Sequence, residues 1–226
     1  MFNTTDTWKT AYPKAAAGIL VMHNVQNPPN HAELDQRKET LENRLREQFA
    51  GMDRSVLANL PEIQAYDAYF KRFKKTYPVF LQLESVVLKG RSLPKVAALV
   101  EAMFMAELED LLLTAGHDLD KLELPVQIRV AKGDEEYTLL RGDNQTLKAG
   151  DMMMSDRKGI ISCIIYGPDR RTPITPETRN ALFAVYAPQG IAEQSVLIHL
   201  ESIQSNVKLI SPGATTGLLQ VYRAGG

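Results

Sequence analysis

The chain has 226 residues, 44% apolar and 23% charged, with 26 Lys and Arg against 27 Asp and Glu. These proportions exclude a disordered or low-complexity protein, and a net charge of −1 excludes nucleic-acid binding by bulk basicity, leaving only a local patch. A single cysteine excludes an internal disulfide, and His23, His31, His117 and His199 show no metal-ligand spacing, so no structural metal is expected.

The amino end, MFNTTDTWKT, lacks the basic start and apolar run of a secretory signal. No stretch approaches the ~18 apolar residues of a membrane span, so a cytoplasmic protein without membrane contact is expected. After this polar lead-in, residues 15–25 (AAAGILVMHNV), short, apolar and closed by QNPPN, read as a buried strand. Residues 31–52 read as a polar helix that packs by a thin stripe of Leu34, Leu41, Leu45 and Phe49. Asp53 can cap a second helix, which breaks near Leu60 and Pro61, restarts through AYDAYFKRF and ends at Pro78. There Tyr66, Tyr69, Phe70, Phe73 and Tyr77 share one helical stripe, which turns the rings inward and Lys71, Arg72, Lys74 and Lys75 outward. Such a face is either solvated or a surface for RNA phosphates. Residues 80–88 fit helix or strand by pattern, and a helix ended by Gly90 is expected.

The stretch 92–132 is the one the others are arranged around. Val96, Leu99, Val100, Met103, Phe104, Leu108, Leu111 and Leu112, with small alanines between, describe a helix with almost no polar face, hence a core helix. Ser92 and Pro94 suit its start, Gly116 a left-handed stop, and HDLDKLE leads through Pro125 into a strand with Val126, Ile128 and Val130 on one face. This helix is expected to lie against an antiparallel sheet containing residues 126–131 and 160–166. Further strands are predicted at 136–140, 151–154, 160–166 and 181–186, close enough to be antiparallel neighbours. A last helix starts near Ile191, with Val196, Leu200, Ile203 and Val207 on one face, before a mobile Ser-Pro-Gly-rich end. No repeat or linker divides the chain, which reads as one α+β domain over residues 1–226.

Gly133, Gly142 and Gly150 fall in hairpin turns rather than between a strand and a helix, and no GxSxG occurs, so neither a nucleotide cofactor nor serine-hydrolase chemistry is expected. Cys163, in the apolar SCIIYG, reads as a small core residue rather than a nucleophile. Asp118, Asp120 and Glu123 read as turn caps or as acid-base groups, and His117 as a hydrogen-bonded turn residue or a proton shuttle.

Over residues 61–190 the order of LPKVAALVEAM, HDLDKLE, VQIRVAKGDEEYTLLRGD, TLKAGDMMMSD, GIISCIIYG and ITPETRNALF resembles the tRNA-binding and editing module of the phenylalanyl-tRNA synthetase beta subunit, its third and fourth domains. The resemblance implies an α+β fold, mainly antiparallel sheet with a buried central helix and flanking helices. It also implies a free-standing partner of tRNA or aminoacyl-tRNA that hydrolyses a mischarged ester without a cofactor. In the related pocket a Thr-Asn pair falls at Met103 and Phe104, a His at Ala115 and a Glu at Ala184; none is kept here. Glycines of that pocket fall near Ile164 and Ile165, whereas Asn180, Thr178 and Arg129 fit the pattern. The pocket candidates are therefore Met103, Phe104, His117, Cys163, Ile164, Asn180 and Ala184, with no catalytic residue assigned. The tRNA candidates are Lys71, Arg72, Lys74 and Lys75 with Arg170 and Arg171 on the PDRRTP loop. The replaced set leaves two readings, a deacylase for a small or apolar aminoacyl group or a non-catalytic binding or protein-interaction module, and leans toward the second.

Overall fold

A computed structural model describes residues 1–225. In chain order the elements are β1 (Phe2–Thr4), α1 (Asp6–Ala11), β2 (Ala16–His23), α2 (Ala32–Gln48), α3 (Arg54–Leu57), α4 (Pro61–Lys71), α5 (Pro78–Val87), α6 (Ala98–Asp110), β3 (Thr114–Asp118), β4 (Val126–Val130), β5 (Glu136–Thr138), β6 (Asn144–Thr146), β7 (Met152–Ser155), β8 (Ile160–Cys163), β9 (Gly167–Pro168), β10 (Asn180–Ala187), α7 (Glu193–Ile210) and β11 (Thr215–Arg223). A 3-10 turn, Leu119–Lys121, follows β3. The fold is α+β, and all strand pairs but the parallel β1–β4 are antiparallel.

Two sheets carry it, one ordered β1-β4-β7-β8-β9 and the other β11-β2-β10-β3, beside a β5-β6 hairpin. The apolar run of β2 is explained by its place: it pairs with β11 on one edge and β10 on the other and is covered on both faces. On one side Gly18 lets α7 approach so closely that a Cβ would lie 2.6 Å from Val196 Cγ1. On the other the two sheets meet, and the Tyr186 hydroxyl from β10 lies 2.7 Å from Ser162 Oγ on β8. The predicted aromatic stripe is buried, with Tyr66 and Tyr77 stacked at 4.3 Å between ring centroids.

The central helix α6 is buried as expected, Leu99 completely and Met103 nearly so. Its ends and neighbours differ from expectation. It begins at Ala98 rather than near Ser92 and Pro94, and side chains take the amides around its start: Leu93 donates to Glu42 Oε1 of α2 (2.7 Å), Val96 to Glu101 Oε1 of α6 itself (2.8 Å), and Leu99, in the first turn, to Asn27 Oδ1 (2.9 Å). The left-handed stop is Leu111 at φ 58°, whose carbonyl accepts from the Tyr77 hydroxyl at 2.8 Å. Gly116 instead sits inside β3, where a Cβ would meet Ile174 Cδ1 at 2.9 Å and Met103 Sδ at 3.3 Å. The main neighbours of α6 are α7, α2, α5 and β3, so it packs on the β3 sheet, not on the sheet of 126–131 and 160–166.

Both chain ends also depart from expectation. The lead-in forms β1 and α1, anchored by a completely buried Trp8 whose Nε1 donates to Met152 Sδ at 3.3 Å. The Ser-Pro-Gly-rich end is followed by the nine-residue strand β11 against β2. The expected strand at 160–166 stops at Cys163, and the chain turns through 164–166 into β9. No helix among the described residues is long and apolar enough to cross a membrane.

Candidate functional site

β3 is an edge strand of one sheet and β9 an edge strand of the other. Between α5, α6 and these two edges opens a cleft of about 670 Å³. Its floor comes from α6, which contributes Val100, Met103 and Phe104, and one wall is Ala115 and Gly116 of β3. Pro168, Pro173 and Ile174 close the opposite side, and Leu81 and Leu140, 48% and 54% exposed, are also part of the lining. Exposed leucines at the opening of an apolar recess fit a ligand with apolar bulk.

One ionisable side chain lines this cleft, Glu107 of α6, four residues and so about one turn beyond Met103. Glu107 Oε1 accepts the Thr114 amide at 2.7 Å, fastening the end of α6 to the start of β3. Burial pushes its carboxyl up to about 8, against the opposing pull of the Thr114 N–H. At neutral pH the Glu107 carboxyl is therefore largely protonated. Composition gave no hint of Glu107, one of four acidic residues of α6 with Glu101, Glu109 and Asp110; only its i+4 place after Met103 sets it on the cleft side.

Of the pocket candidates, Met103 and Phe104 line the cleft together with Ala115. Ala184, fully buried, is the cross-strand partner of Ala115 and lies one strand behind it. Cys163 packs in a separate small cluster, its thiol 3.5 Å from the Tyr137 hydroxyl and pushed up by burial. Ile164 is in the main core. Asn180 spans two loops, its amide donating to both Asp120 oxygens (3.0 and 2.9 Å) and its Oδ1 lying 2.8 Å from His23 Nδ1. None of these four residues lines the cleft.

His117 is completely buried, with Nδ1 2.8 Å from Thr172 Oγ1. Because that hydroxyl donates its proton to Asp169, it must accept from His117, which places the imidazole proton on Nδ1. Nε2 is the one buried side-chain polar atom without a partner among the described residues. Burial first, then the Arg171 charge, pulls the imidazole down to about 3 against the opposing Asp156 carboxylate. Asp118 ties the turn, accepting from Asp120 N (3.1 Å) and Thr178 Oγ1 (2.8 Å), while Glu123 pairs with Lys158 on the surface.

The cationic candidates divide. Lys71, Arg72, Lys74 and Lys75 are all exposed, but α4 ends at Lys71, so Arg72, Lys74 and Lys75 lie in the turn after it. Lys71 is paired with Asp67 at 2.6 Å, and Arg72 lies over Tyr12, Tyr69 and Phe73. Lys74 and Lys75 have no carboxylate partner among the described residues, and Lys75 rests 5.3 Å above the Tyr166 ring, next to the cleft residue Gly167. Lys148 adds a cation by donating to the Phe73 carbonyl at 2.8 Å. Arg170 is exposed. Arg171 instead forks onto Asp156, both N–O distances 2.9 Å, and reaches Asp169 at 3.5 Å. Among the described residues no group of three or more His, Cys, Asp or Glu is placed to hold a metal.

The sequence pattern of the family described as "B3/4 domain" matches residues 64–208. A phenylalanine–tRNA ligase beta subunit from Fusobacterium nucleatum is 36% identical over 80 residues, 34% of this chain and 10% of that protein. The crystal structure of an N-terminal fragment of the phenylalanyl-tRNA synthetase beta-subunit from Pyrococcus horikoshii aligns with a TM-score of 0.50 at 12% identity. That alignment covers 96% of this chain and 50% of the fragment, and it shows a shared fold. The chain thus matches only a tenth of the curated relative and half of the solved fragment.

Proposed function

The chain belongs to the B3/4 domain family, and from that membership we propose that it binds the aminoacylated end of a tRNA, with an apolar aminoacyl group in the α5–α6–β3 cleft. One observation carries this reading: positions 103, 104 and 115, which the resemblance singles out, converge on one ligand-sized recess, here walled by Met103, Phe104 and Ala115. Lys75, over the Tyr166 ring next to the cleft residues Gly167 and Pro168, offers a charge for phosphates, with the exposed Lys74 and Arg170 close by in the chain. The apolar walls favour a small or apolar aminoacyl group over tyrosine, since burying a phenol hydroxyl without a partner costs free energy.

Recognition is the primary activity in this reading, and ester hydrolysis is secondary. Ala115 and Ala184 supply neither acid nor base, so hydrolysis would have to rely on a positioned water and Glu107. The test is a fluorescence titration with bulk tRNA, followed by a deacylation panel on tRNAs charged with alanine, serine, valine, phenylalanine and tyrosine. Binding at ~50 mM salt that weakens steeply as salt rises is expected, with no appreciable release of tyrosine. No affinity for tRNA at that salt, or rapid release of tyrosine alone, would overturn the reading.

A further inference from the structure

A carboxyl group lining an apolar cleft needs a partner, because an ionised carboxylate is strongly disfavoured where water is excluded. Glu107 has half of one. Its Oε1 takes the Thr114 amide, while Oε2 has no hydrogen-bond partner among the described residues, and the side chain is part of the cleft lining. Among the described residues no Lys, Arg or His pairs with it. Of the charged groups on the packed elements, Lys38 of α2 is engaged with Glu101, Arg44 of α2 with Glu109, Glu84 of α5 with Arg54, and His199 of α7 with Thr114 and Asp110. The tyrosines nearest it, Tyr66 and Tyr77, are neutral and spend their hydroxyl protons on the Tyr186 and Leu111 carbonyls. As an acceptor for one amide, Glu107 could be replaced by Gln without loss. What a carboxyl adds over a glutamine amide is the ability to ionise when a cation arrives.

We infer that Glu107 is the specificity-determining group of the cleft, selecting ligands that carry a free primary ammonium beside an apolar side chain. Such a ligand places its side chain against Met103, Phe104 and Ile174 and its ammonium on Oε2, and Glu107 gives up its proton to solvent as the ion pair forms. The inference rests on the cleft being the aminoacyl site, and it adds that the α-amino group must be free: an N-acylated aminoacyl group is rejected.

Leucinamide and N-acetyl-leucinamide, which share the side chain and resist ester hydrolysis, separate the possibilities by calorimetry at pH 6.5. At that pH both the ligand amine and the Glu107 carboxyl are protonated. Leucinamide should bind at least about tenfold more tightly, as a desolvated charge pair requires, and release close to one proton per ligand when two buffers of different ionisation enthalpy are compared. Glu107→Gln, which keeps the acceptor for the Thr114 amide, should fold normally in a thermal melt and lose both the preference and the proton release. Equal binding of the two amides, a preference that survives in Glu107→Gln, or no binding of either at millimolar concentration would overturn the inference. Leucinamide held through Glu107 by a protein that ignores charged tRNA would refute the tRNA reading alone. Charged tRNA bound equally well with its amino group acetylated would refute this inference alone.

Discussion

Ala184 of β10 lies directly opposite Ala115 of β3, so their methyl groups share one face of the sheet, with Ala115 on the cleft wall and Ala184 sealed behind it. The two positions that the resemblance assigns to polar side chains therefore differ in cost. Ala184→Glu must bury a carboxyl in a site shaped for a methyl group and should destabilise the protein by about 3–5 kcal/mol. Ala115→His, beside open space, should cost clearly less. Urea unfolding of both variants checks the order, and equal losses would contradict this geometry.

Glu107 makes the fold sensitive to alkali. Its folded carboxyl, raised by burial from 4.5 to about 8, binds a proton more tightly than the unfolded chain does. The associated stability is present below pH 4.5 and is lost as pH rises towards 8, by about 3–5 kcal/mol at the observed burial. Asp151, raised by burial to about 6, acts in the same direction between pH 3.8 and 6. Unfolding free energies from pH 4.5 to 8 should fall in the wild type and stay flatter in Glu107→Gln; parallel profiles would contradict the assignment.

His117 acts in the opposite direction. Burial holds its folded imidazole near 3 while the unfolded chain titrates near 6.5, so the unfolded state gains the proton first and stability is lost as pH falls from 6.5 towards 3. His117→Asn, whose side-chain amide can donate to Thr172 in place of Nδ1, should remove much of this acid sensitivity. Comparing wild type and variant at pH 4 and pH 7 isolates the effect, and an unchanged difference would argue against a neutral buried histidine.

Arg171 and Lys75 should separate folding from binding. Burial alone would raise the Asp156 carboxyl, yet the Arg171 fork and the Glu123 and Lys158 amides hold it below the usual carboxylate range. Arg171→Ala strands that carboxylate and should cost ~2–4 kcal/mol of stability. Lys74→Ala and Lys75→Ala, exposed and without carboxylate partners, should leave the melting temperature unchanged and reduce the salt dependence of tRNA binding by about 0.9 in log–log slope per removed phosphate contact on a duplex stem. A stability loss in the lysine variants would contradict their placement on the solvent face.

Much of the architecture was legible because it is local. The buried β2 run and the apolar α6 follow from spacing alone; the rings from Tyr66 to Tyr77 are buried as expected, but α4 ends at Lys71, so Phe73 and Tyr77 reach the core from a turn and from the start of α5 rather than along one helical face. The start of α6 was not legible, because Ser92 and Pro94 satisfy the local rules for a helix start, while Glu42 and Asn27, distant in the chain, bind the Leu93 and Leu99 amides. Nor was the order at the carboxyl end: the exposed strand β11 alternates weakly, and its partner β2 lies about 200 residues away in sequence.

The sequence by itself determined the family order of motifs, the burial of the central helix and the absence of polar side chains at 103, 104, 115 and 184. Only the tertiary structure decided which of these positions share a cavity, because β3 and β9 become the edges of two different sheets and the recess exists only beside those edges. It also decided that Cys163 and His117 lie outside that recess and that Glu107 lies inside it. Helical periodicity specifies a face, but what covers that face depends on strands paired across long loops, and a short sequence window does not contain that information.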